Sequence, residues 1–144
     1  MRSKLCKAKK KDNGQWVEGY YVCLNEKRHR IYTGYAVSDC EVLYPDWYEV
    51  DETTLCDDTG FTDKDGNKIW ENDILSVSMD SAFVEYCNVQ ILHPVNVVVK
   101  WDLCGWTWEV LESKKHYLNF PDAWCHYKSE VVGNVFDNPE LLRR

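Results

Sequence analysis

Residues 59–77 read TGFTDKDGNKIWENDILSV, the stretch from which the fold is predicted most directly. Asp65-Gly66 predicts a tight turn inside it, because both residue types tolerate positive φ. Three runs rich in Val, Ile or aromatic residues follow, namely Phe83–Leu92, Val95–Trp101 and Trp106–Leu111. The last two, separated by a short turn, predict an antiparallel hairpin. These features together predict a small antiparallel barrel of roughly five strands over the second half of the chain, with an indole-lined interior.

The first 58 residues predict further strands that extend this core or pack against it. Asp12-Asn13-Gly14 is a strong turn signal between two strand candidates. Ile31–Val37 and Trp47–Val50 are two more. We therefore predict one unit over residues 1–144, with an N-terminal β segment at 1–58 and a barrel-like core with a C-terminal tail at 59–144.

Helices are expected only as short pieces near the C-terminus, since no segment keeps a 3.6-residue apolar period over three turns. The candidates are Phe120–Tyr127 and Asn138–Arg144. In the second, Asn138-Pro139-Glu140 has the pattern of an N-cap, a proline at the first helical position and a first-turn acid. The predicted fold class is mainly β, with a small SH3-like antiparallel barrel, additional N-terminal strands and short C-terminal helices.

The charge balance disfavours nucleic acid as a partner without removing it as an alternative. The formal net charge is −7 and the pI is about 5.0, which argues against general attraction to phosphate backbones. Two local clusters are nevertheless basic: Lys4, Lys7, Lys9, Lys10 and Lys11, then Lys27, Arg28 and Arg30. A solvated strand face with lysines at its edge explains them best.

The seven cysteines are scattered, and no two of them form a CxxC pair. No apolar leader lies within Met1–Lys11, and no stretch is long enough to span a membrane. We therefore expect a cytoplasmic protein with free thiols and no membrane partner.

Three blocks of the sequence, at residues 11–20, 59–74 and 130–142, together resemble the YopX family of phage and prophage proteins. The family usually has Gly where this chain has Asn72, and Tyr or Phe at Trp70. Asn is the commonest non-Gly residue at positive φ, so a sharp bend between Trp70 and Ile74 is still expected. The resemblance implies a mostly β, barrel-like fold and self-association in some members. It implies no established activity.

A calcium loop is one candidate site, because Asp63, Asp65 and Asn67 match the start of an EF-hand loop. The sixth and twelfth positions do not match the EF-hand pattern, since Lys68 and Ile74 stand where Gly and Glu are needed. The turn interpretation is therefore preferred.

A zinc site is a second candidate, drawn from Cys104, His116, Cys125 and His126. Adjacent Cys and His side chains do not easily reach one ion, so a core thiol beside a surface imidazole is preferred. The same residues could serve as a Cys nucleophile and its base, which is a weaker hypothesis.

Carboxylates are a third candidate group: Asp51, Glu52, Asp57, Asp58, Glu71 and Asp73. Acid–base catalysis needs two carboxyl groups in contrasting environments, which the sequence does not reveal. For Asp73 we prefer a structural hydrogen bond to turn amides.

Tryptophans form the last candidate, because Trp101, Trp106 and Trp108 lie across one predicted hairpin. Exposed, they would stack on bases or anchor a protein partner. A core role is preferred, since Trp106 and Trp108 share one side of the strand.

The sequence contains no nucleophile elbow, phosphate-binding Gly-rich loop or HExxH motif. We therefore predict a non-enzymatic phage or prophage accessory protein, without cofactor, metal or catalytic residues. It is expected to form a homo-oligomer or to bind a phage or host protein, through residues that the sequence does not identify. A nucleic-acid-binding regulator and an enzyme with an unrecognised site are the alternatives, in that order.

Overall fold

A computed structural model describes residues 5–77, 95–102, 105–111, 115–120 and 129–142. The described residues are almost entirely antiparallel strands, so the predicted mainly β class is confirmed. The chain divides into two compact units, Met1–Asp58 and Thr59–Arg144. The predicted strand Phe83–Leu92 and residues 121–127 of the first predicted helix lie outside the described residues.

The first unit is built from four strands of the described chain. They are β1 (Leu5–Lys10), β2 (Trp16–Asn25), β3 (Arg28–Val37) and β4 (Leu43–Thr62), the last of which continues into the second unit. Each strand pairs with the next, and β1 also pairs with β4, so the pairing closes on itself. One alternate set of side chains is buried inside as a cluster: Ala8, Val17, Ile31 and Val50.

The predicted turn at Asp12-Asn13-Gly14 is confirmed. Gly14 has a φ of 73°, a value that glycine adopts without a steric penalty. Its N–H donates to the Lys10 carbonyl at 2.9 Å, and the Lys10 N–H donates to the Gln15 carbonyl at 2.8 Å. These bonds return the chain directly from β1 into β2.

The second unit contains an antiparallel sheet with strand order β10-β6-β7-β8-β9 in its described part. Its strands are β6 (Asp73–Val77), β7 (Val95–Asp102), β8 (Gly105–Val110), β9 (Lys115–Phe120) and β10 (Ser129–Asn134). The short strand β5 (Lys68–Trp70) pairs with the end of β4, where Thr59 Oγ1 donates to the Ile69 carbonyl at 2.6 Å. The predicted hairpin is confirmed, because β7 and β8 pair from Val97 to Asp102.

The SH3-like barrel predicted for the second half is wrong in its form, because the sheet of the second unit is open among the described residues. Along β6 and β7, buried and exposed side chains do not alternate as they would in the wall of a barrel. Ile74 and Leu75 are adjacent and both fully buried, and Val97 to Val99 are buried in succession. Central strands with both sides buried belong to a covered layer, whereas barrel strands bury one alternate set.

The predicted C-terminal helices are also wrong in the described part of the chain, where the only helical piece is a single 3-10 turn at Pro139–Leu142. The Asn138 side chain does not cap this turn, because its Oδ1 accepts the Asn134 N–H at 3.2 Å. Leu141 and Leu142 pack against the core cluster of the second unit. Four residues are too few for an α-helical ladder, so tertiary packing decides the local conformation.

The predicted bend between Trp70 and Ile74 is confirmed. Asn72 has a φ of 68°, in the left-handed region that Asn tolerates better than most residues. Its N–H donates to the Val99 carbonyl at 2.8 Å, and its carbonyl accepts the Val135 N–H at 3.1 Å. The bend therefore connects two parts of the sheet through its own backbone.

Candidate partner-binding surface

Asp63 stabilises a turn, and both of its carboxylate oxygens accept backbone hydrogen bonds. The buried carboxylate accepts the N–H groups of Asp65 and Asn67, each at 2.9 Å, and that of Val131 at 3.0 Å. Burial opposes its ionisation, but these hydrogen bonds prevail and lower the pKa of Asp63. The Asp63–Asn67 segment is a turn, as preferred above, with Gly66 at a φ of 82°.

The carboxylates singled out in the sequence are dispersed. Asp73 is buried, and its Oδ2 accepts the Trp70 N–H at 2.8 Å, the kind of turn-amide bond that we expected. Asp51 Oδ1 accepts the hydroxyl and the N–H of Thr53 at 2.7 and 3.0 Å, and these bonds lower its pKa. Asp57 Oδ1 lies 3.2 Å from Cys6 Sγ. The other three are half-buried or exposed: Glu52, Asp58 and Glu71.

Metal-ligating residues are not clustered in the part of the chain that the structure describes, where no three His, Cys, Asp or Glu side chains could hold one ion. Cys104, Cys125 and His126 lie outside the described residues, and His116 lies in β9. In the described ranges, no helix has the length and apolar character needed to cross a membrane.

The three tryptophans of the β7–β8 hairpin are divided between the core and the surface. Trp106 and Trp108 are buried, which confirms the preferred core role. Trp101 is 46% exposed and meets Trp106 edge to face, with 5.0 Å between ring centroids. These indoles therefore do not form a three-ring stacking surface.

A candidate surface lies instead on the outer side of the first unit. The core uses one alternate set of side chains, so the other set points outward. In register across three strands, this outward set places Tyr20 opposite Tyr32, and Tyr32 opposite Trp47. The rings of Tyr32 and Trp47 have centroids 6.5 Å apart. The outer side therefore carries a cross-strand row of aromatic rings.

A cation extends this row. The Arg30 guanidinium lies 3.6 Å from the ring centroid of Trp47, within the range of a cation–π contact. Its Nε also lies 3.4 Å from Glu49 Oε1. Arg30 thus fixes the orientation of Trp47, whose side chain is half exposed.

Beyond this row, β3 and β4 continue as a two-stranded ribbon, residues 33–46, which we call the arm. Among the described residues β2 pairs with β3 only as far as Tyr32, and β1 reaches β4 no further than Glu49. Ser38 closes the arm, since its N–H donates to the Val42 carbonyl at 2.9 Å and its hydroxyl accepts the Val42 N–H at 3.1 Å. Both edges of the arm are unpaired in the described structure.

Large apolar side chains of the arm are exposed to solvent. Tyr35 is 72% exposed, Val37 64% and Leu43 63%. Alternation along β4 places Leu43 on the same side as Trp47, and Tyr35 and Val37 lie opposite Pro45 and Leu43 in the register. We call this continuous apolar surface the docking face; its members are Tyr20, Tyr32, Tyr35, Val37, Leu43 and Trp47.

This surface was not predicted from the sequence, although a signal was present. In β3, Ile31 and Tyr32 are adjacent, and one is fully buried whereas the other points outward. A strand with one solvent-exposed face usually carries polar side chains at every second position. Apolar residues on both sides of β3 indicated a second apolar surface.

A separate group of titratable residues lies between the β2–β3 turn and β4. The imidazole of His29 is buried, with Nδ1 2.6 Å from Tyr21 Oη and Nε2 3.0 Å from Glu52 Oε2. Burial and a hydrogen bond with Cys23 raise the pKa of Tyr21. The arrangement fastens the β2–β3 turn to β4.

Comparisons with known proteins agree with this fold. Residues 7–143 match a family model described as "YopX protein". No curated protein matches the chain. Among solved structures, protein EF1440 from Enterococcus faecalis is similar, with a TM-score of 0.58 and 18% sequence identity over 97% of this chain and 98% of that chain. At that identity the likeness concerns the fold alone.

Proposed function

The chain belongs to the YopX family, and on that premise we propose that it is a non-enzymatic accessory protein of phage or prophage origin that assembles with copies of itself. The observation that carries the proposal is the docking face. Contacts between copies use this face, and an unidentified phage or host protein is the other partner class. The protein acts in the cytoplasm, a proposal supported by Cys23 and Cys40, which form no disulfide.

The composition of the docking face supports a protein partner. Soluble monomers rarely expose large contiguous apolar patches, and such patches mark interaction sites. Tyr, Trp and Arg are the residues that contribute most to binding at protein interfaces. Three aromatic rings in register, with Arg30 on the indole of Trp47, match that composition.

The stability of the arm supports the same proposal. An isolated two-stranded hairpin is marginal in water, and a third strand or a packed surface is usually needed. The arm has neither among the described residues, and its apolar side chains face solvent. A second copy would supply the missing surface.

The experiment is sedimentation velocity of the full chain over a range of concentrations. We expect an oligomer for the wild type and a shift toward monomer for Tyr35→Ser, which removes the most exposed ring of the docking face. Val132→Ser is the matched control, because Val132 is 41% exposed in the second unit and lies outside that face. A wild-type chain that stays monomeric at every concentration contradicts the proposal.

A second candidate function, single-stranded nucleic-acid binding, is favoured by one observation. The ammonium groups of Lys7 and Lys9 lie 4.5 and 5.4 Å from the ring centroid of Trp16. Cations beside an aromatic ring are the elements of a stacking site for bases. Fluorescence anisotropy with a labelled oligonucleotide tests it, since binding must weaken as salt rises from about 50 to 200 mM. Absent or salt-independent binding removes this candidate.

A further inference from the structure

The two edges of the arm differ in their hydrogen-bonding capacity. Ser38 and Val42 face each other through the bond from the Ser38 N–H to the Val42 carbonyl. In an antiparallel ladder such hydrogen-bonded pairs alternate with pairs whose N–H and C=O groups point away from the partner strand. Val37 opposite Leu43, and Tyr35 opposite Pro45, are therefore pairs of the second kind.

The β4 edge of the arm is obstructed by proline. Pro45 has no N–H, and its position in the ladder is one where the N–H would have pointed outward. Further along the same edge, Glu49 already accepts the Lys11 N–H at 3.0 Å. Proline on an edge strand prevents another strand from completing its ladder there.

The β3 edge has no such obstruction. Tyr35 and Val37 direct their N–H and C=O groups outward, and in the described structure no strand pairs with them on that side. Their side chains are also among the most exposed apolar groups. One edge of the arm is therefore competent for strand addition, and the other is not.

We propose that two copies of this chain join through the β3 edges of their arms, pairing antiparallel about a two-fold axis to form a continuous four-stranded sheet. The inference deepens the proposed self-assembly and rests on it. An edge that pairs with its own copy makes the same contacts twice, which is the commonest symmetry of homo-oligomers. Strand addition supplies the arm with the third strand that its marginal stability calls for.

The spacing of the outward groups favours a second copy as the occupant. Tyr35 and Val37 are two residues apart on one strand, so a two-fold axis beside residue 36 places Tyr35 of each copy opposite Val37 of the other. The outward N–H and C=O groups of both residues then find partners in the second copy. The same edge therefore supplies both sides of the contact.

The decisive test compares two proline variants at one rung of the ladder. Val37→Pro removes an outward N–H from the β3 edge, and Leu43→Pro removes one from the β4 edge, which Pro45 already obstructs. The two residues are equally exposed, at 64% and 63%, so the loss of apolar surface is matched. Neither substitution removes a hydrogen bond within the arm, since both N–H groups point outward.

We expect Val37→Pro to weaken self-association at least tenfold in sedimentation equilibrium, and Leu43→Pro to associate like the wild type. Equal effects of the two variants, or no effect of Val37→Pro on a wild-type oligomer, overturn the β3-edge contact and leave the proposed self-assembly standing. A monomeric wild type overturns both.

One further measurement does not depend on proline. Amide hydrogen exchange at Tyr35 and Val37 in the wild type must slow as protein concentration rises, while exchange at Leu43 stays unchanged. If exchange at Tyr35 and Val37 is independent of concentration, the β3-edge contact is wrong.

Discussion

The arm of the first unit and the sheet of the second unit use similar amino acids for opposite purposes. In the second unit, Leu75, Val97 and Val99 are fully buried on central strands. In the arm, Val37 and Leu43 are more than half exposed on paired strands of the same antiparallel kind. The difference shows that strand-forming sequence does not decide burial. A strand is buried when other elements cover it, and the arm extends beyond the strands that could do so.

The largest expected effect concerns the buried side of this comparison. Trp108 is 1% exposed, so Trp108→Ala should lower the free energy of unfolding by about 3–5 kcal/mol through the cavity that it leaves. Trp101→Ala, at a ring that is 46% exposed, should cost less than about 1 kcal/mol. Urea unfolding followed by circular dichroism measures both, and equal losses would contradict the assignment of core and surface.

A second prediction concerns the buried carboxylate of the second unit. Asp63→Ala leaves the N–H groups of Asp65, Asn67 and Val131 without their acceptor, and should cost about 2–3 kcal/mol. Because folding lowers the pKa of Asp63, its contribution is present above its unfolded pKa of about 3.9 and is lost as pH falls through its folded pKa.

The pH dependence supplies the control for this prediction. Wild-type stability should fall more steeply than that of Asp63→Asn as pH is lowered below about 4, since the amide does not titrate. Urea midpoints at several pH values measure the two slopes. Parallel slopes would show that Asp63 titrates alike in the folded and unfolded chain.

A third prediction uses two glycines of the second unit. A Cβ at Gly133 would lie 2.4 Å from Asn138 Oδ1, whereas one at Gly105 would have no heavy atom within 4 Å. Gly133→Ala should therefore cost about 1–3 kcal/mol, because Asn138 also accepts the Asn134 N–H and has little freedom to move. Gly105→Ala should be close to neutral. Thermal unfolding compares them, and equal midpoints would contradict the close approach at Gly133.

The smallest effect is expected on the exposed side of the comparison. Tyr35→Ser should change the free energy of unfolding of the monomer by less than about 0.5 kcal/mol, since the ring is 72% exposed. Its effect on association should be far larger. Urea unfolding at a dilution where the chain is monomeric separates the two. A large loss in the monomer would mean that Tyr35 packs within its own chain.

Local features of the fold were predictable from the sequence because they depend on few residues. The turns at Gly14 and Gly66 and the bend at Asn72 require positive φ, which Gly and Asn adopt more readily than other residues. The β7–β8 hairpin followed from two apolar runs around a short turn. The buried turn-amide acceptor at Asp73 followed from its place beside the bend.

The barrel of the second half and the helix at Asn138–Arg144 were predicted wrongly because each depends on distant partners. The burial of β6 and β7 on both sides depends on what covers them, which periodicity alone does not report. Residues 139–142 carried a helix start signal, but Leu141 and Leu142 pack onto the core as a 3-10 turn. Packing energy outweighs local propensity in so short a segment.

The docking face separates most clearly the properties that the sequence determines from those that depend on the tertiary structure. The sequence by itself determined that this chain is mainly β, where it turns and which side chains are apolar, because these properties reside in single residues and their neighbours. Only the tertiary structure decided which apolar side chains stay in water. That choice depends on the lengths to which β1 and β2 accompany β3 and β4, and strand register is a property of residues far apart in the chain.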